Sequence, residues 1–70
     1  MIGDRVKEYR KKRNMTQRQL AAVTNISQGR ISQLESGEIT EIESRRLRAL
    51  ARALHVSADI LLELELEPIS

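Results

Sequence analysis

Apolar residues return every three or four positions along most of this chain, and polar residues between the runs mark where each starts and stops. Val6 and Tyr9 give an inward stripe to a first helix over residues 4–13, with Asp4 at its positive end and Asn14 ending it. Met15 is an apolar plug before Thr16. Thr16 and Gln19 have capping-box spacing, and Leu20, Ala21 and Thr24 follow as one buried face. Asn25 tolerates the left-handed conformation and turns the chain. Ser27 caps a third helix whose stripe is Ile31 and Leu34, and Gly37 closes it. Residues 38–43 form a loop from which Ile39 and Ile42 tuck back onto the core. A fourth helix over Glu43 to Leu54 turns Leu47, Leu50, Ala51 and Leu54 inward, and His55 stands where it stops. Ser57 caps a short fifth helix, Ala58 to about Glu63, with Ile60 and Leu61 available for burial. The pattern predicts an all-α domain over residues 1–63, a compact five-helix bundle with a helix-turn-helix at its centre.

The third helix is polar in an unusual way. With Ile31 and Leu34 inward, about 100° per residue sends Gly29, Ser32, Gln33 and Ser36 outward. Gln28 lies at the exposed N-terminal end and Arg30 on the flank. This face offers amides, hydroxyls and a guanidinium, with no carboxylate and no large apolar group. Such groups read base edges: Gln pairs with adenine, Arg with guanine, and Ser with donors or acceptors. The plainer alternative is a solvated surface helix, which ordinarily mixes Glu with Lys.

Charge sharpens this picture. Residues 1–37 hold eight Lys/Arg and three acids, and residues 38–70 hold four and seven, so a +5 half precedes a −3 half. A basic half that contains the polar helix suits a polyanion. The Arg10 to Arg13 run complements the negative end of the first helix dipole. Arg10 borders the buried face and needs a carboxylate there; Glu35 is the sole acid between residues 9 and 37, so the two are expected to pair. Gln17 and Arg18 occupy the first turn of the second helix, where amides and the dipole favour phosphate. Arg45, Arg48 and Arg52 share an outward face of the fourth helix, either as a solvated stripe or with Arg45 and Arg46 reaching phosphates.

With no Cys and one His, the chain has no thiolate metal site, no disulfide and no nucleophile–base pair, and neither cofactor nor enzymatic activity is expected. No window approaches the ~20 apolar residues of a membrane span, and the expected location is the cytoplasm. Residues 64–70 form a tail. Leu62, Leu64 and Leu66 alternate with Glu63, Glu65 and Glu67 up to Pro68, a strand-like period of two. Either these leucines join two copies into a dimer or they fold back on the chain's own core; the dimer is the preferred reading.

Together, Val6…Tyr9-Arg10, Met15-Thr16-Gln17…Leu20-Ala21, Ile26-Ser27…Ile31-Ser32…Leu34-Glu35-Ser36-Gly37 and Leu50-Ala51-Arg52-Ala53-Leu54-His55-Val56-Ser57…Ile60-Leu61 resemble the phage-repressor-like (lambdoid repressor and Cro, Xre-type) helix-turn-helix family. The resemblance spans roughly residues 2–62. It implies a five-helix domain that binds near-palindromic double-stranded DNA as a homodimer and acts as a repressor or an activator of transcription; a repressor is the preferred reading. It also implies that Gln28, Gly29, Ser32 and Gln33 lie in the major groove, that Gln17 contacts phosphate and that Arg10 pairs with Glu35; to these the residues themselves add Arg30 for base readout and Arg10, Thr16, Arg18, Ser36 and Arg45 as expected phosphate contacts. Three departures stand out: Asn25 and His55 replace glycines usual in the family, and Gly29 lacks a side chain where relatives often present one. The main rival is an antitoxin or anti-repressor, a protein-binding module whose partner, such as a toxin, is another protein and whose helix-turn-helix serves autoregulation.

Overall fold

Thr16 accepts a hydrogen bond from the Gln19 N–H at 3.0 Å while the Gln19 side chain accepts from the Thr16 N–H at 2.8 Å, so the expected capping box forms in full. The computed structural model describes residues 2–62. In chain order they build α1 (Ile2–Lys12), α2 (Gln17–Thr24), α3 (Gln28–Ser36), α4 (Ser44–Leu54) and α5 (Ala58–Leu61). No strand occurs among the described residues. The alternating tail from Glu63 onward, with Leu64 and Leu66, lies outside them, as does the proposed boundary between domain and tail.

Four helix ends are shaped by residues in the left-handed region: Asn14 (φ 56°), Asn25 (φ 61°), Gly37 (φ 86°) and His55 (φ 60°). After α1, Met15 N–H donates to Arg10 O and Asn14 N–H to Lys11 O; after α4, Val56 N–H donates to Ala51 O and His55 N–H to Arg52 O. Both are the paired reverse bonds that satisfy a helix's last carbonyls. Ser27 and Ser57 cap α3 and α5 by accepting from the N–H groups of Arg30 and Ile60.

The core is aliphatic. Val6, Leu20, Ile31, Leu34, Leu50, Leu54 and Leu61 are fully buried, each worth about 1.5–3 kcal/mol of transfer free energy. Ile39, Ile42, Leu47, Met15 and Tyr9 pack around them. Thr24, which stands in this stripe where an aliphatic residue would serve, is buried without penalty because its hydroxyl donates to Leu20 O at 2.7 Å. The expected α2 face is thus Leu20 and Thr24, with Ala21 half-buried at its edge. α3 packs on α1 and α2, and α4 packs on α2, α1 and α5.

Helix boundaries differ from expectation by one residue at the end of α1 (Lys12) and the start of α4 (Ser44, with Glu43 as its N-cap), and by more at two other places. α1 starts at Ile2, because Ile2 joins the core and Gly3 lies directly against the C-terminal turn of α3. A Cβ on Gly3 would collide with the Leu34 carbonyl oxygen and lie 2.8 Å from its carbon. α5 ends at Leu61 with Leu62 as its C-cap, short of the expected Glu63.

Candidate nucleic-acid interface

The base of the site is a buried ion pair. Arg10 and Glu35 are 8 % exposed each, and the guanidinium meets the carboxylate at two points: Nε–Oε2 2.7 Å and Nη2–Oε1 3.0 Å. Arg10 Nη1 donates to Met15 O at 2.7 Å. The hydrogen bond to Glu35 raises the Arg10 pKa above its ordinary value against the opposing effect of burial, and the Glu35 charge adds to the rise. The expected pairing is therefore present. The same geometry corrects the expectation that Arg10 contacts phosphate: all three of its nitrogens are engaged inside the protein and the side chain is buried.

Glu35 also receives Gln17. The Gln17 amide donates from Nε2 to Glu35 Oε1 at 3.0 Å, so one carboxylate ties α1, the start of α2 and the end of α3 together. A primary amide has two N–H bonds and an acceptor oxygen, so Gln17 keeps a donor for a phosphate at the positive end of the α2 dipole. Thr16 and Arg18 are exposed at the same end.

From this anchor, α3 turns Gln28, Gly29, Ser32, Gln33 and Ser36 to solvent, as the periodicity requires. A Cβ on Gly29 would have nothing within 4 Å, so the glycine leaves an open notch in the face. Arg30 sits apart from this group. It is half-buried on the flank of α3, shares a groove with Glu41, Ile42 and Glu43 of the α3–α4 loop, and its Nε is buried without a hydrogen-bond partner.

The last turn of α3 is closely tied down. Ser36 Oγ donates to Gln33 O at 3.1 Å and accepts from Glu38 N–H at 3.3 Å, and Ile39 N–H also donates to Gln33 O. Ser36 thus serves the cap while staying exposed on the outward face. The Gln33 side chain donates from Nε2 to Glu38 Oε2 at 3.3 Å. Periodicity did not single out Glu38; the glycine before it was the available sign, since a left-handed C-cap folds the next residue back over the last turn.

Behind the α2–α3 turn, Arg45 and Arg46 at the start of α4 line a groove with Thr24, Asn25, Ile26 and Ala49. Arg46 pairs with Glu43 at 3.2 Å, while Arg45, Arg48 and Arg52 are exposed. On the opposite side Leu62 is half-buried beside Ile2, Ile42 and Leu47, partly packed on its own core. Among the described residues no group of His, Asp or Glu could hold a metal ion, and no helix is long and apolar enough to cross a membrane.

The helix-turn-helix family profile matches residues 6–61 of the chain. A Mycobacterium tuberculosis protein (strain H37Rv) named as an antitoxin, HigA2, is 37% identical over 60 residues, which are 86% of this chain and 59% of that protein's length. The chain thus spans little more than half of this relative. Among solved structures it is similar to SinR, a master regulator for biofilm formation, in complex with DNA: the TM-score is 0.86 and the identity 31%, over 89% of this chain and 98% of that one. It is also similar to a chain of the SinR–SinI protein complex, with a TM-score of 0.88 and 28% identity over 100% of this chain and 68% of that one.

Proposed function

The chain belongs to the helix-turn-helix family, whose profile covers residues 6–61, and from that premise we propose that it is a sequence-specific DNA-binding transcriptional repressor acting as a homodimer. The observation that carries this reading is the outward face of α3: Gln28, Ser32 and Gln33 exposed together around Gly29, on a helix locked to α1 and α2 through Glu35. A rigid helix bearing amides and a hydroxyl suits a major groove, where base edges present the matching donors and acceptors. Gln17, Thr16 and Arg18 at the α2 N-terminus, and Arg45 at the start of α4, position the domain on phosphates. Arg30, at the flank, reaches the edge of the same site. The likeness to a regulator solved on DNA supports this assignment.

Dimerisation places two α3 helices on half-sites about one helical turn, ~34 Å, apart. Leu62, Leu64 and Leu66 are the residues we assign to the dimer contact. Deleting residues 64–70 should shift sedimentation toward the monomer at micromolar concentration; unchanged sedimentation excludes this role.

A second reading is an antitoxin that binds a toxin and represses its own promoter, supported by the 37% identity to HigA2. Selection of bound sequences from a randomised duplex pool at two salt concentrations tests the first reading. A consensus with two-fold symmetry is the expected outcome. Salt-sensitive binding without a consensus leaves only phosphate contact and rules out base reading. Co-purification with the product of an adjacent gene, with the operator bound only by that complex, favours the antitoxin.

A further inference from the structure

We infer that Glu38 is a positioning residue that sets which way the Gln33 carboxamide faces, and so which base Gln33 selects. This inference rests on the base-reading role proposed above for Gln33.

An amide side chain presents different chemistry when rotated by half a turn, because its oxygen accepts and its nitrogen donates. A free glutamine on a helix surface samples both orientations and discriminates poorly. Here one N–H of Gln33 is given to the Glu38 carboxylate at 3.3 Å, and a carboxylate only accepts. The nitrogen is thereby held toward the loop. The remaining N–H and Oε1 stay available as a donor–acceptor pair, the combination that matches adenine N7 and N6–H in the major groove. The rotated amide would turn its oxygen toward the carboxylate and is repelled.

Glu38 is itself held in place. Gly37 turns the chain in the left-handed region, the Glu38 N–H donates to Ser36 Oγ at 3.3 Å, and the next residue, Ile39, bonds Gln33 O at 3.1 Å. The carboxylate is therefore carried by a cap built around the Gln33 carbonyl, rather than by a free loop. It also places a negative charge at the edge of a face that must approach phosphates, which weakens binding to any duplex. A carboxylate in that location costs affinity and gains selectivity, and the two effects can be separated by experiment.

The test uses full-length protein and a randomised duplex pool, with base preference read at each position for wild type, Gln33→Ala, Glu38→Ala, Glu38→Gln and the Gln33→Ala/Glu38→Ala double variant. A bidentate contact is worth about 5- to 150-fold in preference, so Gln33→Ala should lose about that at one base pair and Glu38→Ala at least about threefold at the same pair. Glu38→Gln can donate as well as accept, so it tolerates either orientation of the Gln33 amide and should relax the preference nearly as far as Glu38→Ala. Glu38→Ala should also bind non-specific duplex more tightly at low salt. The double variant should be no less selective than Gln33→Ala. Unaltered preference in Glu38→Ala, when Gln33→Ala relaxes it, overturns the role of Glu38. Loss of preference equally at all positions, or looser non-specific binding, reveals a general structural defect and also overturns it. If Gln33→Ala leaves every preference unchanged, base reading by Gln33 is what has failed, and the inference falls with it.

Discussion

Arg10 and Glu35 stand 25 residues apart in the chain and meet through two parallel hydrogen bonds of 2.7 and 3.0 Å in the protein interior. Removing one partner leaves an uncompensated buried charge, which costs about 3–5 kcal/mol. A domain of this size has roughly 4–10 kcal/mol in total, so Glu35→Ala or Arg10→Ala should lose a large share of its stability in urea unfolding. Arg10→Met with Glu35→Leu replaces the pair by apolar packing and should recover most of that loss. It should still bind DNA more weakly, because Gln17 then has no carboxylate to hold it. A fully active double variant would show that the pair serves the fold alone.

The pH dependence of this pair has a definite sign on the arginine side. Glu35 raises the Arg10 pKa in the folded state, so the associated stability is fully present below the unfolded pKa and is lost only as pH rises through the folded one. Both lie well beyond the range in which proteins are ordinarily handled, since an arginine is effectively always protonated. Urea unfolding between pH 7 and pH 10 should therefore show no loss of stability from Arg10 titration. A decline across that window that vanishes in the Arg10→Met/Glu35→Leu variant would contradict this assignment.

Gly3→Ala is a stringent test of the α1–α3 contact. The added Cβ would collide with the Leu34 carbonyl, a backbone group that cannot rotate away. Overpacking of this kind costs about 1–3 kcal/mol, visible as a lower urea midpoint with an unchanged slope. A variant as stable as wild type would mean that α1 does not dock there.

His55→Gly should act in the opposite direction. His55 holds φ 60° at the C-terminus of α4, a conformation that costs a residue with a Cβ about 1–2 kcal/mol and glycine nothing. Part of this returns as glycine's greater freedom in the unfolded chain, leaving a gain of about 0.5–1 kcal/mol. Thermal unfolding checks it, and a lower midpoint would show that the imidazole makes a contact worth more than the strain.

Arg18 and Gln17 occupy neighbouring positions but predict different salt behaviour. Arg18→Ala removes a cation and should reduce the slope of log K against log salt by about 1. Gln17→Ala removes a neutral donor and should weaken binding on every sequence without altering the slope. Equal slopes for wild type and Arg18→Ala would exclude Arg18 from the phosphate contacts.

Local rules were sufficient for much of this protein. Apolar spacing placed the helices, Thr16, Ser27 and Ser57 began three of them, and Asn14, Asn25, Gly37 and His55 ended four, because caps and left-handed turns are decided by residues a few positions apart. The outward face of α3 followed from the same periodicity, and the resemblance to a family supplied its meaning. Even the Arg10–Glu35 pair was legible, since charge scarcity left Arg10 a single candidate partner. What only the tertiary structure decided are relations between groups that helix periodicity does not order. Packing showed that Gly3 must lack a side chain and that α1 therefore begins earlier. It turned Arg10 wholly inward, gave Gln17 a carboxylate to rest on, and set Arg30 half-buried against the α3–α4 loop. It also folded Glu38 back onto Gln33. Each of these depends on where a chain reversal or a helix crossing places one side chain beside another, a distance in space that spacing along the sequence does not encode.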